Sequence, residues 1–264
     1  MPSLRILKGK PFPVQVGLLL ALGPVSLLNG LLDLSAGGRR RRAFFDPPDL
    51  KLGLESLTAA AAEICAEIEP FLARQCELPG YEDIDRVQMG IARGLNPEKK
   101  WNVVLLEAMG TRPVGIERYF PRTLKLIDAI PERFQVFFSL LEAGKNIPPH
   151  EGPYRGYLRY HLGLRVPTDA PPKMRVGHEW RTWRQGEAFV FDDTWEHEVQ
   201  NRSSGARVIL VVDVLRPLPA PLRAINHAVR GLLRVTYARG LVRKTEAFLA
   251  RWSAARGVTT SPSG

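Results

Sequence analysis

Between Phe134 and Leu215 the chain consists of short β-rich runs, FQVFFSLLEA, GYLRYHLGLRV, MRVG, EAFVFDD, HEVQN and ARVILVVDVL, parted by Pro, Gly and Asp. Several short strands at such close spacing predict an all-β sandwich or barrel of jelly-roll type. Helices are expected around it. From Leu54 to Arg74 apolar residues recur at helical spacing (Leu57, Ala61, Ile64, Ile68, Phe71), which predicts an amphipathic helix. A turn-rich connector, Glu77 to Lys100, leads to a strand over Trp101–Met109 and a short helix over Pro121–Ile130. Beyond Pro217 the chain becomes helical and basic. The expected fold class is therefore mainly β, with flanking helices at both ends.

Two strands carry an oddity. In Gly156–Val166, Leu158, Tyr160, Leu162 and Leu164 share one face, while Arg159, His161 and Gly163 fall on the other. In Ala206–Leu215, Arg207 lies with Ile209, Val211 and Asp213, opposite Val208, Leu210, Val212 and Val214. A cation aimed into a barrel needs an anion. Two such arginines would make a dicarboxylate clamp, although either one alone reads as a surface or salt-bridge residue. Four of the five histidines lie in the β-rich segment: His150, His161, His178 and His197. His150 sits in the stiff turn Pro-Pro-His-Glu-Gly-Pro, and His197 follows an apolar strand and an acidic turn. Imidazoles at strand ends in a barrel mouth suit Fe(II) and leave coordination positions open. A lone loop histidine is ordinarily just polar surface; this pair gains meaning from flanking the strands that supply the arginines.

Taken together, PPHEGPYRGYLRYHLGLRVP, EAFVFDDTWEHEV and ARVILVVDVLRP resemble the aspartyl/asparaginyl β-hydroxylase family over about Phe44 to Pro219. Members of that family are double-stranded β-helix (jelly-roll, cupin-like) enzymes using Fe(II) and 2-oxoglutarate. The resemblance implies His150 and His197 as metal ligands. It likewise implies Ser139, Arg159, His161 and Arg207 as the 2-oxoglutarate site, with Leu141 and Val199 lining that pocket. The commoner oxygenase triad has a carboxylate two residues after its first histidine. Here that position is Gly152, which matches the family's own pattern, with water in place of the acid. Asp193, four residues before His197, is placed to hydrogen-bond that water and counts with the two histidines as catalytic. Glu151 should point away from the metal. The implied reaction is hydroxylation of an aliphatic carbon by O2 with 2-oxoglutarate as cosubstrate, the hard step being carried by the cofactors.

The chain carries 37 Lys+Arg against 27 Asp+Glu, a net charge of +10, which favours an anionic partner. No nucleic-acid recognition motif is present, so nucleic acid is not expected. Two features point to an anionic membrane surface instead. Val14 to Leu34 is apolar and as a helix would span about 31 Å, roughly one hydrocarbon thickness, with Arg39 to Arg42 close behind it. From Arg223 to Arg256 eight basic residues face one acid, Glu246, with apolar residues interleaved. The segment 14–34 reads as a membrane anchor or re-entrant helix, with a buried or interfacial helix as the alternative. Pro24, Asn29 and Asp33 weaken a simple span, and the arginines argue against a signal peptide. The arginine run would stay cytoplasmic. Three segments are expected: 1–43, an apolar segment with a basic run; 44–219, the jelly-roll domain; 220–264, a basic helical extension and disordered tail. Cys65 and Cys76 have no partner spacing and read as buried, reduced thiols.

Relatives within the family divide between Asp or Asn residues of proteins and acyl chains of lipid A or ornithine lipids. RAFFDPPDL, the PPHEGPYRGYLRYHLGL block and LRPLP look like the lipid branch. The expected substrate is therefore a membrane-lipid acyl chain, met at the cytoplasmic face of a bacterial inner membrane. The alternatives are β-hydroxylation of Asp or Asn in a peptide, and a non-catalytic jelly-roll binding module.

Overall fold

The computed structural model describes residues 26–85, 89–93 and 96–254. Among these, ten strands form two antiparallel sheets: β1 (Phe44–Phe45), β2 (Trp101–Ala108), β3 (Arg133–Leu141), β4 (Ile147–His150), β5 (Tyr157–Arg165), β6 (Lys173–Val176), β7 (Glu179–Thr182), β8 (Ala188–Phe191), β9 (His197–Gln200) and β10 (Arg207–Leu215). The larger sheet runs β1-β8-β5-β10-β3-β2 and the smaller β4-β9-β6-β7. This is the mainly β jelly roll that the short runs predict, with helices flanking the sheets.

The large sheet is buried on both faces, which explains the all-apolar side of β5 and β10. Leu158, Tyr160, Leu162 and Leu164 join Val208, Leu210, Val212 and Val214 in a cluster with residues of three helices. Those helices are α2 (Ala61–Leu72), α3 (Pro121–Asp128) and, near the C-terminus, α5 (Arg239–Ala254). Phe71 stacks on Trp252 at 4.6 Å and on Phe120 at 5.1 Å, fastening the helices to one another. The helix expected over Leu54–Arg74 is broken at Ala60, which leaves the helical region, so Glu55–Ala59 forms a separate short helix.

The other face of the large sheet looks toward the small sheet. Ile209, Val211, Phe189, Met174, Val176 and Val199 fill the space between them. Both chain ends, so far as they are described, pack onto this body. Helix α1 (residues 26–35) buries Leu32 fully, and Ala238, Leu241 and Val242 enter the same cluster. Helix α4 (Ala220–Leu233) precedes a short π-helical stretch, Arg234–Ala238, and then α5. Residues 14–25 of the apolar segment and the tail 255–264 lie outside the described residues. Among the described residues no helix is long and apolar enough to cross a membrane. Both cysteines are free. Cys76 is exposed rather than buried, because it falls in a surface 3-10 turn, and Cys65 is half-buried.

Candidate active site

β4 and β9 are neighbours in the small sheet, and their register sets His150 directly opposite His197. The two rings lie 4.1 Å apart, centre to centre. Each Nδ1 meets a backbone carbonyl, His150 that of Pro148 at 2.8 Å and His197 that of Trp195 at 2.9 Å. A carbonyl only accepts, so each Nδ1 carries the proton and each Nε2 keeps its lone pair. Burial pushes the His150 pKa down to about 4, with Arg159 adding to the effect. Burial also holds His197 well below the usual histidine range. Both imidazoles are therefore neutral at pH 7, the form that binds a divalent ion.

The arginines of the cavity come from β5 and β10. Arg159 lies opposite Asp213 in the ladder and binds it bidentately, Nε to Oδ1 at 2.7 Å and Nη2 to Oδ2 at 2.9 Å. Its remaining arm comes within 3.6 Å of Asp193. Arg159 is thus occupied by its own sheet. Arg207 is different. It is 1% exposed, donates once to Ser139 Oγ at 3.1 Å, and leaves Nε and Nη1 buried without a partner. Burial pulls its pKa down to about 9. Trp183 covers its face at 4.5 Å, and Ser139 also accepts from Trp101 Nε1 at 2.9 Å.

His161 and Val199 share the cavity wall with Ser139, Arg159, Arg207 and the histidine pair. The Nδ1 of His161 is buried and without a hydrogen-bond partner. Leu141 is fully buried at the end of β3, opposite Arg207 and Trp101 in the two ladders and in the same inter-sheet cluster as Val199.

Asp193 is 1% exposed, and its Oδ2 accepts from the Tyr157 hydroxyl at 2.8 Å. Burial raises its pKa to about 7, against the opposing pull of Arg159. Its Oδ1 has no partner. The backbone N–H of Gly152 donates to the Asp193 carbonyl at 2.8 Å. A Cβ at Gly152 would lie 2.6 Å from all three atoms of the Asp193 carboxylate. Position 152 is glycine because the Asp193 carboxylate already fills the space a side chain there would need. Gly152→Ala should therefore cost about 1–3 kcal/mol in thermal unfolding through overpacking. Adding Asp193→Gly should recover most of that loss; additive costs in the double variant would show that the two positions do not meet. Glu151 turns outward, 40% exposed, toward Arg155 at 3.6 Å.

The turn bearing Asp193 and His197 is held from the N-terminal side. Arg41 stacks over Trp195 at 4.0 Å and reaches Asp192 Oδ2 at 3.1 Å, with its side chain only 7% exposed. Asp192, fully buried, also pairs with Arg216 at 2.8 Å. Asp33 approaches both Arg41 and Arg155. Arg41 thus belongs to the support of the site, although the sequence groups it with a basic run expected to flank a membrane segment. Arg41→Ala should lower unfolding stability by about 1–3 kcal/mol and weaken metal retention measured by equilibrium dialysis, with Arg41→Lys recovering only part. A chain shortened to begin at Ala43 should show the same loss. Unchanged metal affinity in both would remove Arg41 from the site.

Sequence reasoning brought together His150, His197, Ser139, Arg159, His161, Arg207, Val199 and Asp193, and all lie around one cavity or its rim. It missed Trp101, Trp183, Tyr157, Asp192 and Arg41. Asp213 was visible as an interior acid, but its pairing with Arg159 needed the strand register. The aromatic residues carry no signal of their own, since a tryptophan at a strand end is ordinary core.

A model of the family described as aspartyl/asparaginyl β-hydroxylase matches residues 58–217. An ornithine lipid ester-linked acyl 2-hydroxylase of Rhizobium tropici is 36% identical over 170 residues, covering 64% of this chain and 59% of that protein. The human aspartyl/asparaginyl β-hydroxylase is 35% identical over 132 residues, 48% of this chain and 17% of its own length. The matches thus span less than two thirds of either relative. Among solved structures, a predicted oxalate decarboxylase from Thermotoga maritima aligns at 11% identity with a TM-score of 0.32, covering 48% of this chain and 90% of that one.

Proposed function

The chain belongs to the aspartyl/asparaginyl β-hydroxylase family, and from that premise we propose that it is an Fe(II)- and 2-oxoglutarate-dependent dioxygenase acting on the acyl chain of a membrane lipid. The observation that carries the cosubstrate is Arg207. A buried guanidinium with two unpartnered N–H groups fits one carboxylate of a dicarboxylate, and Ser139 beside it offers a further hydroxyl. The observation that favours the metal is the histidine pair, both rings neutral and both fixed through Nδ1. His150 and His197 would hold iron through Nε2. When bound, iron and 2-oxoglutarate together supply the oxygen activation that hydroxylates an aliphatic carbon.

The chain's own residues do the rest. Arg207 and Ser139 orient the cosubstrate, and Trp101, Trp183 and Phe191 keep water from the interior. Asp193, held by Tyr157 and packed against Gly152, would accept a hydrogen bond through its free Oδ1 from a water beside the histidines. Arg159 neutralises Asp213 and steadies Asp193 rather than reaching for the cosubstrate.

The lipid reading draws on the Rhizobium tropici relative, whose name specifies an ornithine lipid acyl chain. The basic C-terminal helices support an anionic membrane surface as partner, and we place the enzyme at the cytoplasmic face. Asp or Asn hydroxylation in a peptide is the second reading, favoured by the human relative. Mass spectrometry of total lipids from cells with and without the protein decides between them. Lipid species heavier by one oxygen, present only with the protein, are expected; an unchanged lipid profile with a newly hydroxylated Asp or Asn would favour the second.

A further inference from the structure

Helix α4 presents three different faces. Leu222, Val229 and Leu233 pack inward against the inter-sheet cluster. Asn226 is buried, accepting from the Tyr154 hydroxyl at 2.6 Å and donating to the Gly156 carbonyl at 2.7 Å. Arg223, Arg230 and Arg234 run along a flank. The remaining face is turned to solvent, yet it holds Ile225, Ala228, Leu232 and, just past the helix end, Val235, with no charged side chain among them. At 3.6 residues per turn these four fall within about 80° of arc. Ile225 is 43% exposed, Leu232 60% and Val235 51%.

Helix α1 repeats the arrangement. Leu32 points into the core, while Leu27, Leu31 and Leu34, spaced i, i+4 and i+7, are 70%, 47% and 76% exposed. The two helices are fixed to one loop. Asn29 of α1 donates to the Pro153 carbonyl and accepts from the Arg155 N–H, and Asn226 of α4 holds Tyr154 and Gly156. That loop follows His150 by three residues, so both apolar faces are tied to the histidine end of the cavity.

We infer that the exposed faces of α1 and α4 form one docking surface for an anionic bilayer, which sets the mouth of the site against the lipid. Charge selects the occupant. From Ala220 to Ala238 there is no Asp or Glu, while Arg223, Arg230 and Arg234 line one flank of the helix and Arg239 follows the end of the apolar stripe. An exposed apolar stripe on a helix with a basic flank and no acidic residue matches an anionic lipid surface. A second copy across a twofold axis would instead set arginine against arginine. The inference rests on the membrane-lipid reading for why the site should face a bilayer, and it adds the surface that does so.

The test uses the full chain in a Cys65→Ala/Cys76→Ser background, carrying an environment-sensitive fluorophore at Leu232→Cys or, as control, at exposed Val114→Cys. Vesicles contain phosphatidylglycerol and a lipid-borne quencher. Several-fold stronger quenching at position 232 than at 114 is expected. Adding Val235→Glu to the Leu232→Cys form should lower that quenching several-fold. Because the readout is the label's position, retention by residues 14–34 does not mask it. Quenching equal at the two positions, or absent at 232, overturns the docking surface, even if lipid hydroxylation is detected. Quenching confined to 232 without any lipid hydroxylation supports the surface and counts against the lipid substrate.

Discussion

Arg207→Ala should raise the apparent dissociation constant for 2-oxoglutarate by about 30-fold to several thousand-fold, with the fold intact. The reason is that Arg207 is the buried cation of the cavity with donors to spare: Nε and Nη1 have no partner, and Ser139 takes only one arm. Removing one partner of a buried, hydrogen-bonded charge pair costs roughly 2–5 kcal/mol, and each 1.4 kcal/mol is tenfold in affinity. Arg207→Lys keeps the charge but loses the planar fork and the stack on Trp183, so it should recover only a part. Stability should move the other way from affinity. Without cosubstrate the parent buries a cation that lacks an anion, so Arg207→Met should leave the thermal midpoint of the ligand-free protein unchanged or raised. Added 2-oxoglutarate should then stabilise the parent and not the variant. Equal affinity in parent, Ala and Lys forms would remove Arg207 from the cosubstrate site.

His150→Ala or His197→Ala should abolish tight iron binding and turnover. Only two protein ligands are proposed, so losing either removes half of the protein's hold on the ion. The structure adds a reason for severity: each ring is pre-set by its own backbone carbonyl. Among the described residues no group of three or more His, Cys, Asp or Glu gathers to hold a metal. Glu151→Ala is the matched control. Its side chain faces Arg155 and solvent, so iron affinity by isothermal titration should stay close to the parent's and turnover should remain substantial. Parent-like titration of His197→Ala would sink the site assignment.

Much of this architecture is legible in the residues. The alternation in β5 and β10 separates an apolar face from one bearing Arg159, His161, Arg207 and Asp213, and the two faces prove to be the helix-covered and the cavity side. What alternation cannot supply is register. Opposing Arg159 to Asp213 across the ladder turns an apparent second clamp arm into a structural ion pair, and only Arg207 is left with free donors. Arg41 was hidden for another reason. A run of four arginines reads as a basic stretch flanking the apolar segment, and nothing local marks one of them as the partner of an aspartate 151 residues away. Gly152 reads as a missing ligand, and the close approach of Asp193 supplies the steric cause.

The most direct test of the central claim is incubation of the purified, iron-loaded protein with 2-oxoglutarate, extracted membrane lipid and isotopically heavy O2, followed by mass spectrometry of both products. The account predicts succinate carrying one heavy oxygen and, in matching amount, lipid bearing one heavy oxygen on an acyl chain, with both lost in His150→Ala. Succinate without heavy oxygen, or a lipid hydroxyl derived from water, would contradict it.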